Sequence, residues 1–100
     1  MKLYLDDERE APKDWVLVKT VEAAINMLKT GRVEEISLDH DLGNEFLNGM
    51  DVLRWLEGSY WIDNFHIPYV RIHTANVAVR EKMQSAADVM NDASANLSLR

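Results

Sequence analysis

The sequence predicts an α/β domain built on an open parallel sheet of about four strands, with helices mainly on one face. Three observations carry this. Apolar runs of strand length alternate along the chain with longer segments whose apolar residues recur at helical spacing. Two of the short runs end in acidic residues: Leu3-Tyr4-Leu5 runs into Asp6-Asp7-Glu8, and Ile36-Ser37-Leu38 into Asp39-His40-Asp41. The strands also alternate in polarity. Leu3 and Leu5, Ile36 and Leu38, and Val70 and Ile72 share one parity, while Lys2, Tyr4 and Asp6, Ser37 and Asp39, and Arg71 and His73 take the other. Strands covered on both faces read as continuous apolar runs. Alternation therefore leaves one sheet face polar and at least partly open.

Composition sets the outer bounds. A chain of 100 residues is expected to form a single domain over 1–100 with one core. A hydrophobic share of 47%, with 4 glycines and 2 prolines, fits a folded globule. The absence of cysteine excludes a disulfide framework and a thiolate metal site. No apolar run reaches membrane-span length and no signal-peptide core begins the chain, so the expected location is the cytoplasm, away from membranes. The net charge of −6, from 11 basic and 17 acidic residues, disfavours binding of duplex DNA through its phosphates. A small phosphorylated ligand stays compatible with that charge if a cation or local donors offset it.

In order, Leu3–Leu5 is the first strand and ends at Asp6. The segment 7–14, interrupted by Pro12, is too short and broken for a good helix. Trp15–Val18 is a second strand. Thr20 is placed to cap a helix over 21–30, with Glu22 in its first turn and Val21, Ala24, Ile25 and Leu28 on one face. Gly31 stands where a helix-terminating glycine belongs. Glu35–Asp39 is the third strand and 43–48 a polar loop. A helix follows from Gly49, with Val52, Leu53 and Leu56 facing inward; Gly58 is expected to end it unless Trp61 and Ile62 extend the packing. Pro68 precedes a fourth strand, Tyr69–His73. A last helix after Asn76 carries Val79, Met83, Ala86 and Met90 at helical spacing. The tail 96–100 fits either a frayed end or a short edge strand.

In open parallel sheets ligands gather at the carboxyl ends of the strands, which is where the acidic residues fall. Asp6-Asp7 after the first strand, Asp39 after the third and Thr74 after the fourth resemble the response-regulator receiver fold. The finer pattern resembles a divergent branch, the cyclic-phosphate-processing receiver-like domains. Its motifs stand here as Leu3 to Arg9, Pro12 and Trp15, Ser37 to Gly43, Asn48-Gly49, and His73-Thr74-Ala75-Asn76, spanning about residues 2 to 83. The resemblance implies a truncated, flavodoxin-like sheet in strand order 2-1-3-4 with a degenerate first helix. Ordinary receivers carry a lysine on a fifth strand; no such strand is evident here, Arg100 is a poor substitute, and Lys82 lies inside the last helix. The loss counts against phosphotransfer signalling. The resemblance implies instead the handling of a cyclic phosphate.

The expected metal ligands are Asp6, Asp7 and Asp39, with Asp41 behind them, because clustered carboxylates repel unless a cation or proton intervenes. Oxygen ligands suit Mg²⁺ or Mn²⁺. The competing explanation is strand-end capping and loop solvation. His73 shares its strand face with Arg71 and lies one strand from Asp39, so it is expected as general acid, with His40 orienting water; either histidine also fits a structural role. Arg71 is a phosphate ligand or the partner of a carboxylate. Thr74 and Asn76 are phosphate donors at the start of the last helix, or Asn76 is a plain cap. Ser37 is a weaker phosphate contact and Tyr4 a base-stacking surface or filler. Trp15, Trp55 and Trp61 are core or partner-contact residues.

The expected activity is that of a metal-dependent phosphoesterase acting on a 2′,3′-cyclic phosphate end or a cyclic nucleotide, with an RNA end among the partners. Two alternatives use the same pocket: a non-catalytic nucleotide binder, and a receiver phosphorylated on Asp39. The bare sheet face is in addition a surface for a homodimer.

Overall fold

The computed structural model describes residues 1–63 and 65–98, with side chains for 1–60, 62 and 65–93. Four strands, β1 (Lys2–Leu5), β2 (Trp15–Val18), β3 (Glu35–Leu38) and β4 (Tyr69–Ile72), form one sheet in the order β2-β1-β3-β4. Every pairing is parallel. Three helices complete the described chain: α1 (Val21–Leu28), α2 (Gly49–Asp63) and α3 (Val77–Ser98). The expected strand order holds, and 7–14 forms no helix.

Parity sorts the sheet as the sequence suggests. Leu3, Leu5, Ile36, Leu38 and Val70 are buried in one core with Val21, Ala24 and Leu28 of α1, Val52, Leu53 and Leu56 of α2, and Met83, Ala87 and Met90 of α3. All three described helices therefore share one face. The other face carries rows set by the register. Trp15, Lys2, Glu35 and Tyr69 stand side by side, and beside them Leu17, Tyr4, Ser37 and Arg71. Lys2 lies 3.9 Å from Glu35, which also pairs with Arg71. Tyr4 packs edge-on against Trp15 and flat on His73. Arg71 is exposed and His73 half-buried beneath Tyr4, not beneath a helix.

Two element ends resolve differently from the first expectation. Thr20 caps α1, accepting the Ala23 amide at 3.1 Å, and Gly31 terminates it at φ +74°. Gly58 does not end α2. It lacks the positive φ that makes a terminating glycine useful, and Tyr60 beyond it still packs on the core. The tail is helical through Ser98 and no edge strand, while Leu99, Arg100 and the Trp61 side chain lie outside the described residues. No fifth strand occurs among the described residues. At the free edge of β4, Asn91 of α3 takes its place: Oδ1 accepts the Val70 N–H at 2.8 Å and Nδ2 donates to the Val70 carbonyl at 2.9 Å.

Candidate functional site

The register that pairs Leu5 with Leu38 and Leu38 with Ile72 puts the next residues of those strands, Asp6, Asp39 and His73, in one row. The backbone holds the row just past the strand ends: Asp39 N–H donates to the Leu5 carbonyl at 3.1 Å and His73 N–H to the Leu38 carbonyl at 2.9 Å. Asp39 occupies the middle strand. Asp6 and His73 flank it and their side chains meet, His73 Nε2 lying 3.1 Å from Asp6 Oδ2. Donor atoms of all three fall within 4.8 Å of one another, a group that could hold a metal ion.

Asp6 is buried, which raises its pKa, yet the amides of Arg9 (2.9 Å) and Glu8 (2.8 Å) donate to Oδ1 and His73 adds its contact. The sum holds Asp6 below the ordinary carboxylate value. An ionised carboxylate only accepts, so His73 Nε2 carries the hydrogen toward Asp6, and Nδ1 accepts from the Ser37 hydroxyl at 2.6 Å. Burial lowers the His73 pKa, against the raising influence of Asp6 and Asp39, and the ring is neutral at pH 7. Neutral imidazole is the metal-binding form.

Asp39 Oδ1 accepts the His40 amide at 2.8 Å. His40 Nδ1 donates to Asp41 Oδ1 at 2.7 Å, and Asn76 Nδ2 donates to Asp41 Oδ2 at 3.2 Å. The hydrogen bond from His40, aided by Asn76, lowers the Asp41 pKa. Asn76 thus stands at the cap position of α3 while its side chain serves Asp41. Thr74 Oγ1 accepts the Asn76 amide at 3.0 Å, and Arg80 braces the Thr74 carbonyl at 2.8 and 3.1 Å. The first amides of α3, at Val77 and Ala78, keep no side-chain acceptor among the described residues.

Glycine places α2 against this row. A Cβ at Gly49 would stand 1.7 Å from the Asp39 carbonyl oxygen, so no other residue fits there. Gly43 turns the loop at φ +68°, with Asp7 Oδ2 3.1 Å from where a Cβ would be.

A cleft of about 260 Å³ opens over the row, lined by Asp6, Glu8, Arg9, Asp39, Asp41 and the 74–76 turn. Of the residues singled out from sequence, Asp6, Asp39, Asp41, Thr74 and Asn76 line it. His73 joins the ligand group from the side, and Ser37 is buried against its ring. Asp7 is outside the ligand group and beside Gly43, and His40 faces a neighbouring cleft. Arg71 lies on the open face, hydrogen-bonded to Glu35. Two charged residues of the cleft had no role expected from sequence, Glu8 and Arg9. Arg9 is the one cation lining it among the described residues, and its position directly after the acidic turn was the available signal.

A family model described as the cyclic-phosphate processing receiver domain matches residues 1–89. No curated protein and no solved structure matches the chain.

Proposed function

The chain belongs to the cyclic-phosphate processing receiver domains, and from that premise we propose that it is a metal-dependent phosphoesterase that opens a cyclic phosphate on a nucleotide or RNA end. The observation that carries the proposal is the convergence of Asp6, Asp39 and His73 in one row whose two carboxylates line the cleft. Two carboxylates and a neutral imidazole suit Mg²⁺ or Mn²⁺, the imidazole favouring the latter. Such a cation, when bound, supplies charge stabilisation at the phosphoryl oxygens and an acidified water.

The chain's own residues do the rest. Arg9 and the first amides of α3 hold phosphate oxygens, and Thr74 and Arg80 fix that turn. Hydrolysis forms one bond from water oxygen to phosphorus, breaks the bond to one ribose oxygen and moves a proton to that oxygen. As a ligand His73 would coordinate through Nε2 in its other neutral tautomer, with Nδ1–H donated to Ser37 Oγ; facing Asp6 and Asp39 in the donor group, it is assigned here as a ligand in place of the general acid expected from sequence. Proton handling falls instead to the His40–Asp41 pair, whose carboxylate reaches the cleft.

The test is incubation with 2′,3′- and 3′,5′-cyclic nucleotides in Mg²⁺ or Mn²⁺, with products followed by chromatography. Turnover is expected, with losses of at least about 100-fold in Asp39→Asn and His40→Gln. The binder reading has its own support, since no histidine lines the cleft among the described residues. Ligand recovered intact from a tight complex would establish it and sink the hydrolase. Labelling of Asp39 by acetyl phosphate would instead indicate a regulatory receiver.

A further inference from the structure

Beside the first cleft lies a smaller one of about 110 Å³, walled by His40 and Asn48 from the loop, Met50 and Arg54 from α2, and Val79 and Lys82 from α3. The two clefts are joined through one bonded pair, because His40 faces the second and its partner Asp41 the first. Both helices start at the carboxyl end of the sheet and lead away from it. Gly49, at the head of α2, donates its amide to the His40 carbonyl at 3.0 Å, and Asn76, just before α3, donates to Asp41. Arg54 stands five residues beyond Gly49, and Lys82 five beyond Val77. At 1.5 Å per residue each cation's backbone stands about 7.5 Å along its helix from that helix's first residue.

Little of the charge of these residues is consumed within the fold. Lys82 is exposed and has no hydrogen bond or ion pair among the described residues. Arg54 bonds Asp51 through Nη1 alone, at 3.2 Å and in solvent, where such a contact is weak. In a chain of net charge −6, two available cations from different helices flank one cleft. Neither lines the phosphate cleft itself.

We propose that Arg54 and Lys82 form a second phosphate subsite, so that the preferred ligand carries another phosphate beyond the cyclic one. The inference rests on the cyclic-phosphate reading and narrows its substrate class. A second phosphate has two chemical sources: the neighbouring phosphodiester of an RNA strand ending in a 2′,3′-cyclic phosphate, or the other half of a cyclic dinucleotide.

Equilibrium binding and turnover are measured with three probes: adenosine 2′,3′-cyclic phosphate, an RNA tetranucleotide ending in a 2′,3′-cyclic phosphate, and cyclic diadenylate. The proteins are the wild type, Arg54→Gln/Lys82→Gln, and Lys13→Gln/Lys29→Gln as a control for charge alone. At least one two-phosphate probe is expected to bind roughly 10-fold tighter than the mononucleotide, and the better of the two identifies the source. The cleft variant loses that preference and leaves the mononucleotide unchanged, and its salt slope for the strand falls by about 0.7, one phosphate's worth. Equal affinity for all three probes in wild type, or an equal loss in the control, overturns the subsite. Preference that depends on Arg54 and Lys82 without turnover upholds the subsite and removes the hydrolase. Equal cleavage of all three probes by wild type and cleft variant does the reverse, and failure of every probe to bind removes both.

Discussion

Gly49 is the residue on which the site's geometry turns. Its hydrogen-only side chain lets the α2 backbone lie against the Asp39 carbonyl, where a Cβ would approach to 1.7 Å. The opposing atoms are backbone, so they cannot swing aside. Gly49→Ala is expected to destabilise the fold by about 3 kcal/mol or more and to displace Asp39, read from the urea midpoint. His73 acts at the same scale through protonation. Held neutral in the fold and protonated near its ordinary 6.5 when unfolded, it makes the unfolded state bind more protons as pH falls. Stability of the metal-free protein is therefore full above about pH 6.5 and declines below it. Asp6, whose folded pKa is depressed, adds a further loss in the same direction as pH falls through and below 3.8. His73→Gln keeps a donor for Asp6 and removes the titrating group, so the decline between about pH 6.5 and 5 should flatten in denaturant titrations. An unchanged slope would show that His73 is not held neutral.

At the level of elements, β4 is an edge strand that in a fuller receiver would pair with a fifth strand. Here one amide side chain satisfies both backbone groups of Val70. Asn91→Ala leaves a buried N–H and C=O without partners and is expected to cost about 1–3 kcal/mol. It also uncovers an edge open to pairing with another chain, which light scattering would detect as concentration-dependent association. The centre of α2 predicts the opposite sign. Gly58 has no positive φ, and a Cβ there meets nothing within 4 Å. Gly58→Ala should therefore raise stability by about 0.5–1 kcal/mol, by stiffening the unfolded chain and favouring helix. A destabilised variant would mean that the helix needs its glycine.

For the whole molecule, the parallel register and the one-sided helices act together. The register brings the three donor groups into a row, and the missing helix layer leaves that row reachable along the sheet's open face. The cluster places a buried carboxylate, a second carboxylate and an imidazole in contact range, so a bound cation should stabilise the folded state by mass action. Saturation with Mn²⁺ at about 100 times Kd is worth about 2.7 kcal/mol. Thermal melting should show an upward shift that is lost in Asp39→Asn. An equal shift in that variant would place the ion elsewhere. The open face also bears a Lys2–Glu35–Arg71 charge row beside Tyr4 and Trp15. Dimerisation there is a separate question that the same light-scattering series answers.

Much of this was legible in the chain. Strand parity needs only period-2 alternation, so it predicted which residues enter the core and which line the other face. The helix starts were equally local, in Thr20 for α1 and in Asn48-Gly49 for α2, and the family motifs were contiguous in sequence. What the sequence left open depended on long-range juxtaposition. Asp6 and His73 are 67 positions apart, and only the register of three strands makes them touch. That contact, with Ser37 behind the ring, puts His73 in the group that could hold a metal ion and ties the Ser37 hydroxyl to its Nδ1. Asn91 bonded to β4 is 21 residues away from Val70, and no pattern in α3 announces a stand-in for a strand. Arg71 and Arg9 follow the same rule. Chain neighbours give the face of a side chain, while its partner is chosen by whatever group the fold brings opposite, which for Arg71 is Glu35 and for Arg9, at the cleft wall, the His73 carbonyl at 3.4 Å.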